Sequence, residues 1–262
     1  MMKRPNWKLT KHKKAFTFVE LLIAMVIIAI VSGAVIMLAY TYFNHFEQAK
    51  ELSMARERGI MVVTYLEKRI LNAGLGMPTG TTSFKNGFGE TLLSAIAVEI
   101  GGEEWDKTVF KPDEDREDSE ELLIAYAIPS GMRTIEYSQI GTGGETIRLS
   151  SLDASKIEKN NKSTTKGWTV VPSQRMPFYI TDYNTANKTI ELTPGTDGTW
   201  AVPANEELHL VRFMKAFVEN ETFKVNDLTI PGGSQPLVEG ILDCRFVMDG
   251  ESGLLSVFIL AR

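Results

Sequence analysis

The chain has 262 residues, 44% of them hydrophobic and 23% charged, which suits one sizeable domain plus an appendage and excludes a disordered chain. The formal net charge is −5, but Lys3, Arg4, Lys8, Lys11, Lys13 and Lys14 crowd the first fifteen residues, so the body is more acidic than the total and nucleic-acid binding by it is disfavoured. Cys244 is the single cysteine, which excludes an intramolecular disulfide and reads as a small buried hydrophobe, while His12, His45 and His209 show no HxxxH or HExxH spacing for zinc.

Residues 1–15 read as a short basic leader. After Lys14, Glu20 is the only formally charged residue before Glu47, and Leu21 to Phe46 carries none. A membrane-spanning helix needs roughly 20 such residues, and the apolar core of a secretory signal peptide stops at about 15. Residues 16–46 are therefore expected to form a transmembrane helix, its basic flank holding the N-terminus in the cytoplasm. Glu20 does not fit a plain anchor. An ionised carboxylate inside hydrocarbon costs at least ~2–3 kcal/mol, so it calls for a partner of opposite sign. The nearest source of one is an α-amine released by proteolysis just upstream.

Lys13-Lys14-Ala15 followed by Phe16-Thr17-Phe18-Val19-Glu20-Leu21-Leu22-Ile23-Ala24 resembles the class III signal of type IV prepilins and type II secretion pseudopilins. The resemblance implies a prepilin peptidase that cuts between Ala15 and Phe16 on the cytoplasmic side and methylates the new amine of Phe16. It also implies that Glu20 is the carboxylate that pairs with the Phe16 ammonium of an adjacent subunit during assembly. The residue before the cut is usually glycine in that family and is alanine here. The apolar helix has no proline, and Gly33 is its weakest point.

Residues 47–74 continue the helix in amphipathic form. Phe46, Ala49, Leu52, Ile60, Val63, Leu66 and Ile70 follow a spacing near i, i+3, i+4, and are expected to pack against the chain's own globular domain. Gly74 is the expected stop, with Pro78 preventing resumption. Leu66 to Gly76 also resembles the end of the long helix in PilW-type minor pilins.

Residues 75–121 read as an irregular connection, with one short strand or helix around 92–100. It ends in the acidic run Asp113–Glu121, which lacks the DxDxDG layout and its turn glycine; a solvated loop is the better reading than a calcium site. Residues 122–262 are expected to form a β-rich head. Short β-prone runs at 122–128, 132–138, 146–150, 168–171, 177–181, 188–193, 208–220, 222–226, 237–249 and 254–262, separated by turn residues, favour antiparallel sheet. GTGGET, from Gly141, reads as a hairpin turn, and 151–167 as a long exposed loop containing the sequon Asn161-Lys162-Ser163. LVEGILDCRFVMDGESG, from Leu237, resembles a late strand of PilW-type minor pilins and, more loosely, of J-type minor pseudopilins.

No GxSxG, P-loop or strand-bound GxGxxG occurs, and no enzyme activity or cofactor is expected. The fold class expected is α+β, a long N-terminal helix packed on an antiparallel head. The resemblance implies a minor pilin or pseudopilin that primes assembly or sits at a fibre tip. Its partners would be the prepilin peptidase, other pilin-type subunits, the inner-membrane assembly platform and, before assembly, membrane lipid. A J-type pseudopilin of a type II secretion system is the alternative within the family. A signal-anchored extracytoplasmic enzyme or adhesin is the alternative outside it.

Overall fold

A computed structural model describes residues 17–88, 109–110, 120–159, 167–230, 232–249 and 254–262. They fall in two compact units, Met1–Ser53 and Met54–Arg262. What is described of the first unit is helix alone. The helix, α1, runs without a break over Phe18–Ile70, and among the described residues it is the one helix long and apolar enough to cross a membrane.

The second unit holds the last turns of α1 and an antiparallel β head, so the α+β expectation is met. After α1 come α2 (Thr81–Phe88), β1 (Val109–Phe110), β2 (Glu121–Arg133), β3 (Ser138–Gly141), β4 (Glu145–Arg148) and α3 (Ala154–Lys159). The remaining strands are β5 (Trp168–Val171), β6 (Met176–Asn184), β7 (Thr189–Pro194), β8 (Thr199–Val202), β9 (Glu207–Glu219), β10 (Thr222–Asp227), β11 (Gln235–Glu239), β12 (Ile241–Met248) and β13 (Leu255–Ala261).

The two longest strands, β2 and β9, pair antiparallel from Glu121↔Phe217 to Pro129↔His209 and form the spine. The far edge of β9 is shared: β5 takes His209 and Leu210, while β10 takes Met214 to Glu219. From β5 the sheet continues through β6 and β7 to β4, and from β10 to β11. The turn between β9 and β10 is Asn220-Glu221, both at positive φ, as a two-residue type I′ hairpin requires.

Both faces of the spine are covered, which is why Leu122 to Ala127 is buried without alternation. On one face Leu122, Ile124, Met214, Ala216 and Phe223 meet Val62 and Leu66 of α1 together with Ile241, Cys244 and Phe246 of β12. On the other, Leu123, Ala125 and Phe213 meet Phe84 and Phe88 of α2. The Phe88 ring lies 5.5 Å from Trp168 and 5.3 Å from Phe213, both edge-on, a preferred aromatic geometry. A third apolar cluster fills the lobe formed by β3, β4, β6, β7 and β8, around Ile147, Phe178, Ile190 and Leu192.

Several sequence expectations need correction. The buried stripe of α1 is Val62 and Leu66, flanked by half-buried Tyr65 and Ile70; Ile60 and Val63 face outward. The helix ends at Ile70, four residues before Gly74, because Asn72 turns its side-chain amide back onto the Lys68 carbonyl and the chain tightens there. α2 occupies a segment read as irregular, whereas 92–100 and most of the acidic run lie outside the described residues. Gly141 to Gly144 forms a turn, but not a hairpin: β3 pairs with β8 and β4 with β7. The loop after Ser151 begins with α3, which sinks Ile157 into the core; the sequon lies outside the described residues.

The run from Leu237 to Asp249 is two strands, split at Gly240. Gly240 has φ +78°, a turn that a side chain would strain, and a Cβ there would come 2.8 Å from the Arg58 guanidinium, which would have to shift away. Arg58 also donates to the Arg262 backbone carbonyl, tying the base of the β12–β13 hairpin to α1.

Cys244 confirms its reading as a buried hydrophobe: it is fully buried, and that burial, with Asp243 adjacent, pushes the thiol up to about 12. Native protein in detergent should therefore react with a disulfide-exchange thiol reagent about a hundredfold more slowly than protein in guanidinium, because only the thiolate is the nucleophile. Rapid native labelling would show that the β12 face opens in solution.

Candidate assembly site

The first turn of α1 is closed by a reciprocal pair of contacts. Thr17 donates from its backbone N–H (2.9 Å) and its hydroxyl (3.0 Å) to Glu20 Oε2, and the Glu20 N–H donates to Thr17 Oγ1 at 3.3 Å. Thr17 is thus the N-cap and Glu20 the third helical residue, a capping box. The box satisfies donors that a helix end otherwise leaves bare, and a bare N–H in hydrocarbon costs several kcal/mol. It also sets a negative charge at the positive end of the helix dipole.

Both bonds go to Oε2. Among the described residues Oε1 accepts none, so one oxygen of the carboxylate is left without a donor there at the N-terminal end of the helix. The other expected site residues, Lys13, Lys14, Ala15 and Phe16, lie outside the described residues. Thr17 is the functional residue the sequence reading passed over, although the signal for it, Thr-x-x-Glu ahead of an apolar run, was in plain view.

A second feature belongs to the head. Ile60 and Val63 on α1 and Val257 and Ile259 on β13 line an apolar groove of about 340 Å³, with Arg56 and Thr64 at its walls. Ile60 in its wall is more than half exposed, as are Phe258 and Leu260, which alternate with Val257 and Ile259 and so point to the other face of β13. Among the described residues β13 pairs only with β12, so its outer edge carries unsatisfied backbone groups next to apolar side chains, the kind of surface that other chains cover. No three His, Cys, Asp or Glu side chains gather to hold a metal among the described residues.

A family model for the prokaryotic N-terminal methylation motif matches residues 10–36. The matched segment contains the Ala15–Phe16 bond, the capping box and the start of the apolar helix. This supports a type IV pilin-like or pseudopilin protein, a structural subunit rather than an enzyme, and implies processing by prepilin peptidase and assembly with other pilins. No curated protein and no solved structure matched the chain.

Proposed function

We propose that this chain is a minor pilin or pseudopilin, of PilW-like type, anchored in the cytoplasmic membrane with its N-terminus cytoplasmic and its head periplasmic or extracellular. Leader removal between Ala15 and Phe16 frees the Phe16 amine, which is then methylated. The helix leaves the bilayer for a bundle of like helices, where Glu20 meets the Phe16 ammonium of an adjacent subunit. The size of the β head favours a subunit that primes the fibre or sits at its tip over a major subunit. A J-type pseudopilin shares the signal and the fold class, and the two differ in the fibre each enters; co-purification with sheared pili separates them.

The observation that carries this reading is the carboxylate of Glu20, inside a methylation motif, with one oxygen held by Thr17 and the other accepting no hydrogen bond among the described residues. Its chemistry is that of an ion pair in a low-dielectric medium, where each ion alone is costly and the pair relieves both. The outward face of α1 at Ile60 and Val63 supports it further: an apolar face left uncovered by its own head suits packing against a neighbouring subunit.

Mass spectrometry of the membrane-extracted protein tests the first step. The mature chain is expected to begin at N-methyl-Phe16, and a chain still beginning at Met1 would overturn the proposal.

A further inference from the structure

Where the end of α1 lies over the sheet, the apolar face of the spine turns polar. Tyr126 on β2 and Arg212 on β9 are direct cross-strand partners, and Asp227 on β10 is opposite Met214, two residues along β9. Above them, Tyr65 and Arg69 stand one helical turn apart on α1. The Arg69 guanidinium stacks 3.5 Å from the centre of the Tyr65 ring and donates to the Tyr65 carbonyl at 2.9 Å. These five side chains surround a cavity of about 220 Å³, whose remaining wall includes Ile128, Val225 and Ile230.

The charges around this cavity do not balance. Two guanidinium groups face one carboxylate, and arginine cannot shed its charge at physiological pH. The Arg212 side chain is 13% exposed, yet among the described residues its one ion pair, to Asp227 Oδ2, is long at 3.5 Å. Asp227 is already engaged, accepting from the Thr229 N–H at 3.0 Å and from the Thr229 hydroxyl. Arg212 Nε is fully buried and has no hydrogen-bond partner among the described residues, so it is the terminal nitrogens of the guanidinium that can line the cavity. Among the described residues Arg69 has no ion pair. A mostly buried guanidinium held by a single long ion pair carries charge that is costly unless a further acceptor meets its terminal nitrogens.

We infer that this cavity binds a small monocarboxylate with a short apolar body. One negative charge matches the excess of one guanidinium, and a planar carboxylate fits the fork of Arg212, where a tetrahedral dianion would overshoot the charge. The apolar wall takes the body, and the volume, below the ~300–1,000 Å³ of drug-sized sites, limits it to a few carbons. Both phenols stay neutral, since burial raises the pKa of Tyr65 and pushes Tyr126 up to about 12; the Tyr65 hydroxyl already donates to Met214 Sδ at 3.9 Å, which leaves Tyr126 as the phenol to donate to a ligand. The inference does not depend on the fibre reading.

The test is thermal unfolding and calorimetric titration of the full chain in uncharged detergent with isovalerate, set against isoamyl alcohol as its neutral counterpart and inorganic phosphate as a tetrahedral anion. Isovalerate is expected to bind saturably and raise the Tm, with the alcohol and phosphate at least tenfold weaker. Arg212→Met and Arg69→Gln should each weaken isovalerate at least tenfold, while Lys224→Ala on the opposite face of β10 leaves it unchanged. If Arg212→Met does not fold, Arg69→Gln, on the helix surface, decides. No saturable isovalerate binding would mean that water alone fills the cavity. Equal binding of the alcohol would mean an apolar hole, and equal binding of phosphate a generic cationic patch. Any of these results, or binding that survives in Arg69→Gln, overturns the inference.

Discussion

Gly195→Ala is expected to destabilise the head more than any other one-methyl change. Gly195 follows β7, where its N–H donates to the Pro177 carbonyl at 3.1 Å. An added Cβ would stand 1.6 Å from the Gly87 carbonyl oxygen and 3.3 Å from the Trp168 ring. The first contact is with backbone, so no rotamer change relieves it. The end of α2 and the end of β7 would have to separate, and Phe88, packed on Trp168 and Phe213, would move with α2. Gly87 is itself closely hemmed in, since a Cβ built on it would come 2.9 Å from the Pro78 ring and 3.2 Å from that of Pro177. Overpacking of this kind costs roughly 3–5 kcal/mol, at the far end of single-residue effects. For a domain of this size that lowers Tm by roughly 6–20 °C. Gly143→Ala, where nothing lies within 4 Å, should move Tm by less than ~2 °C. Thermal unfolding followed by tryptophan fluorescence measures both, and equal Tm values for the two variants would mean that the glycine-on-glycine contact does not hold α2 in place.

What the sequence disclosed and what it hid follow from the range of the interactions involved. The helix from Phe18 was legible because membrane partitioning depends on composition over a local window. Most strands were legible because one covered face leaves alternation, as in β7. The spine strand β2 was found as an apolar run, but that both its faces are buried depends on α2, an eight-residue helix whose two phenylalanines look like ordinary loop hydrophobes until Phe213 and Trp168 surround them. The helix stripe was misplaced by one residue, Val63 for Val62, because Ile60 and Val63 are as apolar as the residues that are buried; which face is covered is decided by the β12 strand, nearly two hundred positions away. The cavity cluster was hidden for the same reason: nothing local links Arg69, Arg212 and Asp227, and only the β2–β9–β10 register aligns them under α1. The capping box was the opposite case. Thr17 and Glu20 are three residues apart, and the pattern was masked by a stronger expectation that Glu20 needs a charged partner.

These two roles for Glu20 make the second large prediction divisible. As a cap, Glu20 has to accept from the Thr17 N–H, and glutamine does that as well as glutamate. As half of an ion pair, it has to carry charge, and glutamine does not. Glu20→Gln should therefore keep the helix start and the membrane insertion of the precursor, be cut and methylated at Phe16, and yet fail to enter the fibre. An unpaired Phe16 ammonium in the helix bundle costs roughly 3–5 kcal/mol, so incorporation should fall by about a hundredfold or more. Glu20→Leu loses the cap as well and should fall at least as far. Thr17→Val removes only the hydroxyl half of the box, a loss of roughly 0.5–2 kcal/mol that falls on the membrane and fibre states alike and leaves the carboxylate to pair; its incorporation should fall by no more than about fivefold. The three variants are to be compared by the amount of subunit in sheared fibres against that in the membrane. Glutamine matching wild type would leave Glu20 as a cap alone and end the ion-pair account. Glutamine failing with leucine while valine at position 17 is tolerated would place the requirement on the charge, and on the Oε1 oxygen that Thr17 leaves open.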